Sequence, residues 1–250
     1  GELARSFEAM TRHLTTLLEA QRRLIQDISH ELRTPLARLG VALELARKKS
    51  GAVAKESLDR IGRESEVLNV MIGDLLSLSR LEAEMEHMDY EKADLGSILE
   101  SVVEDANFEA RAMKRKVELV YPDDLGLVRL YSELVRRAVE NIVRNGLRYA
   151  PEGTSVIVRA ELLDRDGRPG VSISVRDRGP GVPEAELEEI FKPFYRTESS
   201  RSRDTGGTGL GLAIARKAAL AHGGDIRAVL PPGGGLLVEM WLPIHPQGRV

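Results

Sequence analysis

The sequence predicts two unlike parts in one chain, a dimeric antiparallel four-helix bundle followed by an α/β sandwich. Three observations predict it. Apolar residues at Leu3, Phe7, Met10, Leu14, Leu17, Leu24 and Ile28 keep a 4-3-4-3 spacing broken only by Gln21, which is a heptad seam. A second helical pattern follows after a basic turn and a glycine. Beyond Tyr90 the pattern changes to short helices and alternating strands separated by Gly- and Pro-rich turns.

The seam contains neither Pro nor Gly between Glu2 and Arg33, and so long a helix is stable only if its stripe packs on a partner, most simply a second copy. From Leu18 a second stripe joins through Ile25, Leu32 and Leu39, widening the apolar face as entry into a four-helix bundle requires. Arg47-Lys48-Lys49-Ser50-Gly51 has the chemistry of a helix C-terminus, basic residues and then glycine. The next run places Leu58, Ile61, Leu68, Ile72 and Leu75 on one face, with Met71, Leu78 and Met85 beside it, and ends near His87. Two antiparallel helices per chain, doubled, make four.

Within the first helix, His30 lies away from the seam, at ~100° of rotation per residue, and is expected to face solvent. Glu31 is its neighbour. Pro35 would leave the Glu31 carbonyl without its helical donor and bend the helix. A lone exposed histidine is ordinarily an unremarkable surface residue, so its meaning depends on the rest of the chain.

In the second part, Asp94 is expected to cap a helix running to about Met113, and Val117 to Tyr121 alternates as a strand. Ser132 is expected to cap a helix over 133–149; strands follow at Ser155 to Leu162 and Val171 to Asp177. A further helix spans about Leu210 to His222, and a hairpin pairs Asp225 to Leu230 with Leu236 to Leu242 around Pro231-Pro232-Gly233-Gly234-Gly235. Helices and strands in this order predict helices on one face of a mixed sheet.

Composition excludes several functions. With 36 Lys and Arg against 39 Asp and Glu, mixed along 250 residues, no basic stripe for nucleic acid stands out. The absence of cysteine excludes disulfides and thiolate metal sites. No run reaches the ~20 apolar residues of a membrane span and no signal peptide opens the chain, so these residues are expected to be soluble, whatever precedes them.

Asn141, Asn145 and Arg148 recur at i, i+4 and i+7 and form one polar stripe. Such a stripe is either a solvated face or a ligand set: an amide oxygen is a hard neutral ligand for Mg²⁺, and a guanidinium answers phosphate charge. Asp177-Arg178-Gly179-Pro180-Gly181 ends a strand, and Gly206-Gly207-Thr208-Gly209-Leu210-Gly211-Leu212 opens a helix, where glycines let backbone N–H groups approach an anion. The second run lacks the Gly-Lys-Ser/Thr ending of a Walker loop and the spacing of a dinucleotide fingerprint. Between the two runs, Phe191-Lys192-Pro193-Phe194-Tyr195-Arg196 leads into a polar stretch, Thr197 to Asp204, that reads as a mobile lid on an aromatic anchor.

Together His30-Glu31-Leu32-Arg33-Thr34-Pro35-Leu36, Asn141 to Asn145, Asp177 to Gly181, Phe191 to Phe194 and Gly207 to Gly211 resemble, in order and spacing, the H, N, G1, F and G2 boxes of two-component sensor histidine kinases. The wording of Glu140 to Asn145 and of Phe191 to Thr197 is similar to the CpxA-like envelope-stress subfamily. Gly146 is a departure, since the family usually has Ala there; its expected effect is a looser helix by under ~1 kcal/mol.

The resemblance implies the end of a HAMP signalling helix at 1–24, a HisKA-type dimerisation and phosphotransfer domain at 25–88, and a GHKL-type ATP-binding domain at 89–250. It implies His30 as phospho-acceptor, Glu31 as its base, and Thr34 as the residue positioning water for dephosphorylation of the partner. Asn145 matches the Mg²⁺ ligand. Asn141 and Arg148 would lie at the phosphates, Tyr149 along the base, and Asp177 would accept from the adenine amino group. Gly179 and Gly181 complete that loop; Gly207, Thr208, Gly209, Leu210 and Gly211 form the phosphate-facing loop. The cofactors implied are ATP and Mg²⁺, and the partners a second copy and a response-regulator receiver domain, with no nucleic acid. The place implied is the cytoplasmic side of a bacterial inner membrane, reached only through a preceding N-terminal part. An ATPase of the gyrase and Hsp90 type and a scaffold with a degenerate nucleotide site are the alternatives; neither needs the exposed His30.

Overall fold

The computed structural model describes residues 36–37, 39–41, 43–48, 58–59, 61–62, 65, 68–70, 72–73, 90–122, 125–197 and 208–244. The chain divides into two compact units, Gly1–Glu86 and His87–Val250. The expectations for the heptad seam, His30, Glu31, Thr34, Pro35, Gly207 and the stretch 198–204 lie outside the described residues.

In the first unit the described residues of 36–48 and 58–73 are helical. Leu36 packs with Ile72 in one buried cluster. Arg47 pairs with Asp59 at 2.9 Å, and Gly62 forms a notch where an added Cβ would stand 2.7 Å from the Arg47 guanidinium. Contacts that join early residues of one segment to late residues of the other define an antiparallel hairpin, as the apolar pattern predicts. Leu36 and Leu43 are buried within it, while Leu39, Ile61 and Leu68 remain 49%, 45% and 48% exposed.

The second unit runs β1 (Glu91–Asp94), α1 (Leu95–Ala112), β2 (Lys116–Val120), β3 (Leu127–Leu130), α2 (Ser132–Tyr149), β4 (Ser155–Leu162) and β5 (Gly170–Arg176). Two short 3₁₀ turns, Glu184–Glu186 and Glu189–Phe191, precede α3 (Gly211–Ala221), β6 (Asp225–Val229) and β7 (Leu237–Pro243). The main sheet has the order β2-β4-β5-β7-β6; β2 and β4 are parallel and every other pair is antiparallel. β1 and β3 form a separate antiparallel pair. That pair has no counterpart in the sequence expectations.

Alternation builds the core. Val156, Val158 and Ala160 of β4, Val171, Ile173 and Val175 of β5, and Val238, Met240 and Leu242 of β7 are all buried. Cross-strand register aligns Val158 with Val175 and Val175 with Val238. This face meets α2 and α3, whose buried sides supply Leu134, Val135, Ala138, Val139 and Ile142 and then Ala215, Ala218 and Ala219. The other face carries the polar partners. There Trp241 donates its indole N–H to Leu163 O at 2.9 Å, with the Arg165 and Arg168 guanidinium groups 5.6 and 5.4 Å from its ring centre. At the outer edge, the Asn107 amide both donates to Val117 O and accepts from Val117 N–H, each at 2.9 Å, so that β2 presents paired groups there.

Helix caps follow the sequence in one case and depart from it in another. Asp94 caps α1 by accepting from the Ser97 N–H at 3.3 Å and its hydroxyl at 2.8 Å, bonds that hold its carboxyl below the usual range. Ser132 is not the cap of α2. Its hydroxyl donates to Glu91 on β1 at 2.8 Å, and the cap residue is Tyr131, whose N–H donates to His222 Nε2 at 3.0 Å. His222 is 1% exposed, and its Nδ1 bonds Ala218 O at 2.7 Å, so the ring is neutral with its proton on Nδ1. Tyr90 meets that ring edge-on at 5.5 Å and donates its hydroxyl to Ala221 O at 2.8 Å. One buried histidine thus ties the start of α2 to the end of α3.

Candidate nucleotide site

Glycines mark the places where the site is drawn together, because each lets another segment come closer than a side chain would permit. Along α2, Asn141, Asn145, Arg148 and Tyr149 are half-buried on one stripe, while Ala138, Ile142 and Gly146 face the core. Gly146 faces β4, where an added Cβ would be 3.2 Å from Val156 Cγ1 and 3.7 Å from the Asp177 Cβ. At Gly179 it would be 2.8 Å from Tyr149 O, and at Gly211 3.3 Å from the Asn141 side-chain oxygen. The helix stripe, the Asp177 loop and the start of α3 therefore adjoin one another.

The aromatic segment joins them. Gly209 has φ +73° and its O accepts from the Phe194 N–H at 3.0 Å; a Cβ there would strike the Phe194 backbone at 2.8 Å. Phe191 is the buried anchor, under the Arg216 guanidinium, whereas Phe194 is 57% exposed with φ +63°. Only the first of the two phenylalanines anchors. Leu210 is fully buried, so this position can offer a ligand only its backbone, and its N–H donates to Thr208 Oγ1 at 3.2 Å.

Asp177 is 4% exposed. Its Oδ1 accepts two backbone N–H bonds, from Gly179 at 2.7 Å and from Leu236 at 3.2 Å. Its own N–H donates to Leu236 O at 3.0 Å. Burial pushes the carboxyl pKa up, against the opposing pull of those two donors. Oδ2 accepts no hydrogen bond among the described residues and is not among the fully buried unpaired atoms, so it is the carboxylate oxygen that a ligand can reach.

The Asn141 and Asn145 amides likewise make no hydrogen bond among the described residues. No group of three or more His, Cys, Asp or Glu that could hold a metal occurs among the described residues. A hard cation here would rely on Asn145 and on oxygens brought by phosphates and water, a donor set that suits Mg²⁺. The structure brings Asn141, Asn145, Arg148, Tyr149, Asp177, Gly179, Gly181, Thr208, Gly209, Leu210 and Gly211 into one region of the second unit. His30, Glu31 and Thr34 belong to the first.

Two long-range interactions, one in the site and one that ties the start of α2 to the end of α3, leave no signal in the sequence. The turn Pro231 to Gly235 reads as a hairpin turn and nothing more, yet Leu236 just after it clamps Asp177. His222, at the end of a helix, gives no periodic signal of the interaction it makes with a residue 91 positions away.

Known proteins resemble the chain along its length. Residues 131–246 match the family described as histidine kinase-, DNA gyrase B-, and HSP90-like ATPase, and residues 20–84 match the His Kinase A (phospho-acceptor) domain. Sensor histidine kinase CpxA of Escherichia coli (strain K12) is 40% identical over 96% of this chain and 50% of its own length. Signal transduction histidine-protein kinase BaeS of the same strain is 33% identical over 98% and 51%. The chain thus spans about half the length of these curated relatives. Among solved structures, full-length ShkA in complex with AMPPNP aligns with a TM-score of 0.70 at 25% identity, over 91% of this chain and 47% of that one. Acinetobacter baumannii histidine kinase AdeS shares the fold, with a TM-score of 0.60 at 23% identity over 86% of this chain and 98% of that one.

Proposed function

Because the chain belongs to the sensor histidine kinases, we propose that it binds Mg²⁺-ATP in its second unit, autophosphorylates on His30, and passes the phosphoryl group to an aspartate of a response regulator. The observation that carries this reading is the convergence of the α2 polar stripe, buried Asp177 and the close-approach glycines in one ATPase-type unit, on a chain that also holds a His-Glu pair.

In this reading Asp177 accepts from the adenine amino group, Tyr149 lies along the base, and Asn141, Arg148 and the N–H groups from Gly207 to Gly211 hold the phosphates. Asn145 would hold Mg²⁺, which when bound neutralises phosphate charge. Neutral His30 attacks the γ-phosphorus through one ring nitrogen; a P–N bond forms, the P–O bond to ADP breaks, and the proton on the other ring nitrogen passes to Glu31. Thr34 positions water for removing the phosphoryl group from the regulator. Exposed Leu39, Ile61 and Leu68 support a second copy packing on the hairpin to complete a four-helix bundle. The division into 1–24, 25–88 and 89–250 belongs to the same proposal, as does attachment to an inner membrane through a preceding HAMP-linked part. Among the described residues no helix is long and apolar enough to cross a membrane.

The test is phosphorylation with γ-labelled ATP. The wild-type chain is expected to gain acid-labile phosphate and His30→Gln none, with its ATP affinity unchanged. Retained labelling of the variant, or release of phosphate with no labelled protein, would reject the histidine as acceptor.

A further inference from the structure

We propose that the β6–β7 turn, through Gly235 and the Leu236 N–H, is a specificity-determining clamp: it commits Asp177 Oδ1 to the protein and leaves Oδ2 alone to read the 6-position of a purine as a hydrogen-bond donor. The inference rests on the reading of Asp177 as the base-facing carboxylate and goes beyond it by naming what orients that group.

The clamp is reciprocal. Asp177 N–H donates to Leu236 O at 3.0 Å while Leu236 N–H donates to Asp177 Oδ1 at 3.2 Å, so backbone and side chain of one residue are held by the two polar groups of the other. The Gly179 N–H on the same oxygen, at 2.7 Å, completes it. The turn can approach this closely only as glycine. Gly235 has φ +87°, and a Cβ there would lie 2.1 Å from Asp177 O; Gly181, at φ +70°, would meet Gly235 O at 3.0 Å.

An ionised carboxylate only accepts. With both backbone donors on Oδ1, a bound ligand must bring the donor for Oδ2. The 6-amino group of adenine does so, whereas the 6-oxo group of hypoxanthine or guanine sets lone pair against lone pair. Sites built to hydrogen-bond one group reject the analogue lacking it by large factors, because a buried polar atom is left unpaired. The same geometry fixes the outcome of an isosteric swap. In Asp177→Asn the two N–H donors require the amide oxygen at the Oδ1 position, so the NH₂ must occupy the Oδ2 position and donate to a 6-oxo group.

The experiment is calorimetric titration of the full chain, in Mg²⁺, with ATP, inosine triphosphate and purine riboside triphosphate, which has no 6-substituent. Wild type is expected to prefer ATP over inosine triphosphate by about 100-fold, with purine riboside triphosphate between them. Asp177→Asn is expected to invert the order of the first two. Gly235→Ala is expected to bring the ATP to inosine triphosphate ratio down by about tenfold or more while purine riboside triphosphate changes little. Equal loss for all three nucleotides in Gly235→Ala, or a retained ATP preference in Asp177→Asn, would overturn the clamp while leaving the base-facing reading intact. Wild type that does not distinguish ATP from inosine triphosphate would overturn both. If Gly235→Ala loses its cooperative unfolding transition, the isosteric Asp177→Asn decides alone.

Discussion

Replacing His222 with phenylalanine keeps an aromatic ring, one atom larger, and removes both ring nitrogens. The wild-type imidazole accepts from the Tyr131 N–H at 3.0 Å and bonds Ala218 O at 2.7 Å. Ala218 O also accepts from the His222 N–H at 3.3 Å, so it keeps a partner in the variant, but the Tyr131 N–H at the start of α2 is left without its acceptor. Losing the bond to Ala218 O forfeits ~0.5–1.5 kcal/mol and leaving the Tyr131 N–H without its acceptor costs ~1–3 kcal/mol, so a loss of about 1.5–4.5 kcal/mol is expected. For a unit of this size that is a fall in Tm of roughly 3–18 °C.

The pH dependence supplies the sharper reading. Burial holds the His222 pKa below its usual 6.5, against a smaller raising effect of the bond to Ala218 O. Above 6.5 the imidazole is neutral folded and unfolded, and its contribution is full. As pH falls below 6.5 the unfolded chain takes up the proton first, and stability is lost down through the depressed folded value. Tyr90, the titratable group packed on the ring, has its pKa raised by burial and stays neutral throughout. Thermal unfolding of the full chain from pH 8 to pH 5 should therefore show the largest gap between wild type and His222→Phe at high pH, narrowing as the solution is acidified. A variant within about 2 °C of wild type at pH 8, or a gap that widens with acid, would refute the reasoning.

Thr34→Ala should retain autophosphorylation and lose regulator dephosphorylation, followed as the lifetime of the phosphorylated regulator; an unchanged lifetime counts against its role. Asn145→Ala should lose Mg²⁺-dependent ATP binding in calorimetry while its Tm without nucleotide stays close to wild type. Asp177→Asn should raise the nucleotide-free Tm at neutral pH. The buried carboxyl has a raised pKa, so its ionised form costs stability as pH rises above about 3.8, and the gain should vanish on acidification toward that value. Gly146→Ala should gain under ~1 kcal/mol from helix propensity, less whatever Val156 must yield at 3.2 Å, and a fall in Tm would show that Val156 cannot move.

Local chemistry carried the sequence reading where the interaction is local. Asp94 is legible as a cap because its partner, Ser97, is three residues away. Ser132 has the same chemistry and fails, because Glu91 on β1 takes its hydroxyl and a histidine from the far end of α3 meets the helix start instead. Glu91-Lys92-Ala93-Asp94 has no apolar alternation, and its strand exists only through pairing with Leu127–Leu130. The parallel match of β2 with β4 crosses a helix that no periodicity reports. In the site, the polar stripe of α2 and the glycine runs were readable because residue type and spacing encode them. The clamp on Asp177 was not, since it is made by a backbone N–H that any residue could have offered at Leu236.

Trp241 is the chain's single tryptophan, and it sits on the outer sheet face of the second unit, 2% exposed and flanked by two guanidinium groups. Its fluorescence is therefore a one-site optical probe. Emission should lie to the blue while the β4–β5 loop covers the indole and move to the red when water reaches it. The helical hairpin holds no tryptophan and is silent in that channel, yet both units contribute to far-ultraviolet circular dichroism. Following the two signals through one thermal ramp separates melting of the helical hairpin from melting of the sandwich, with no label and no cut in the chain.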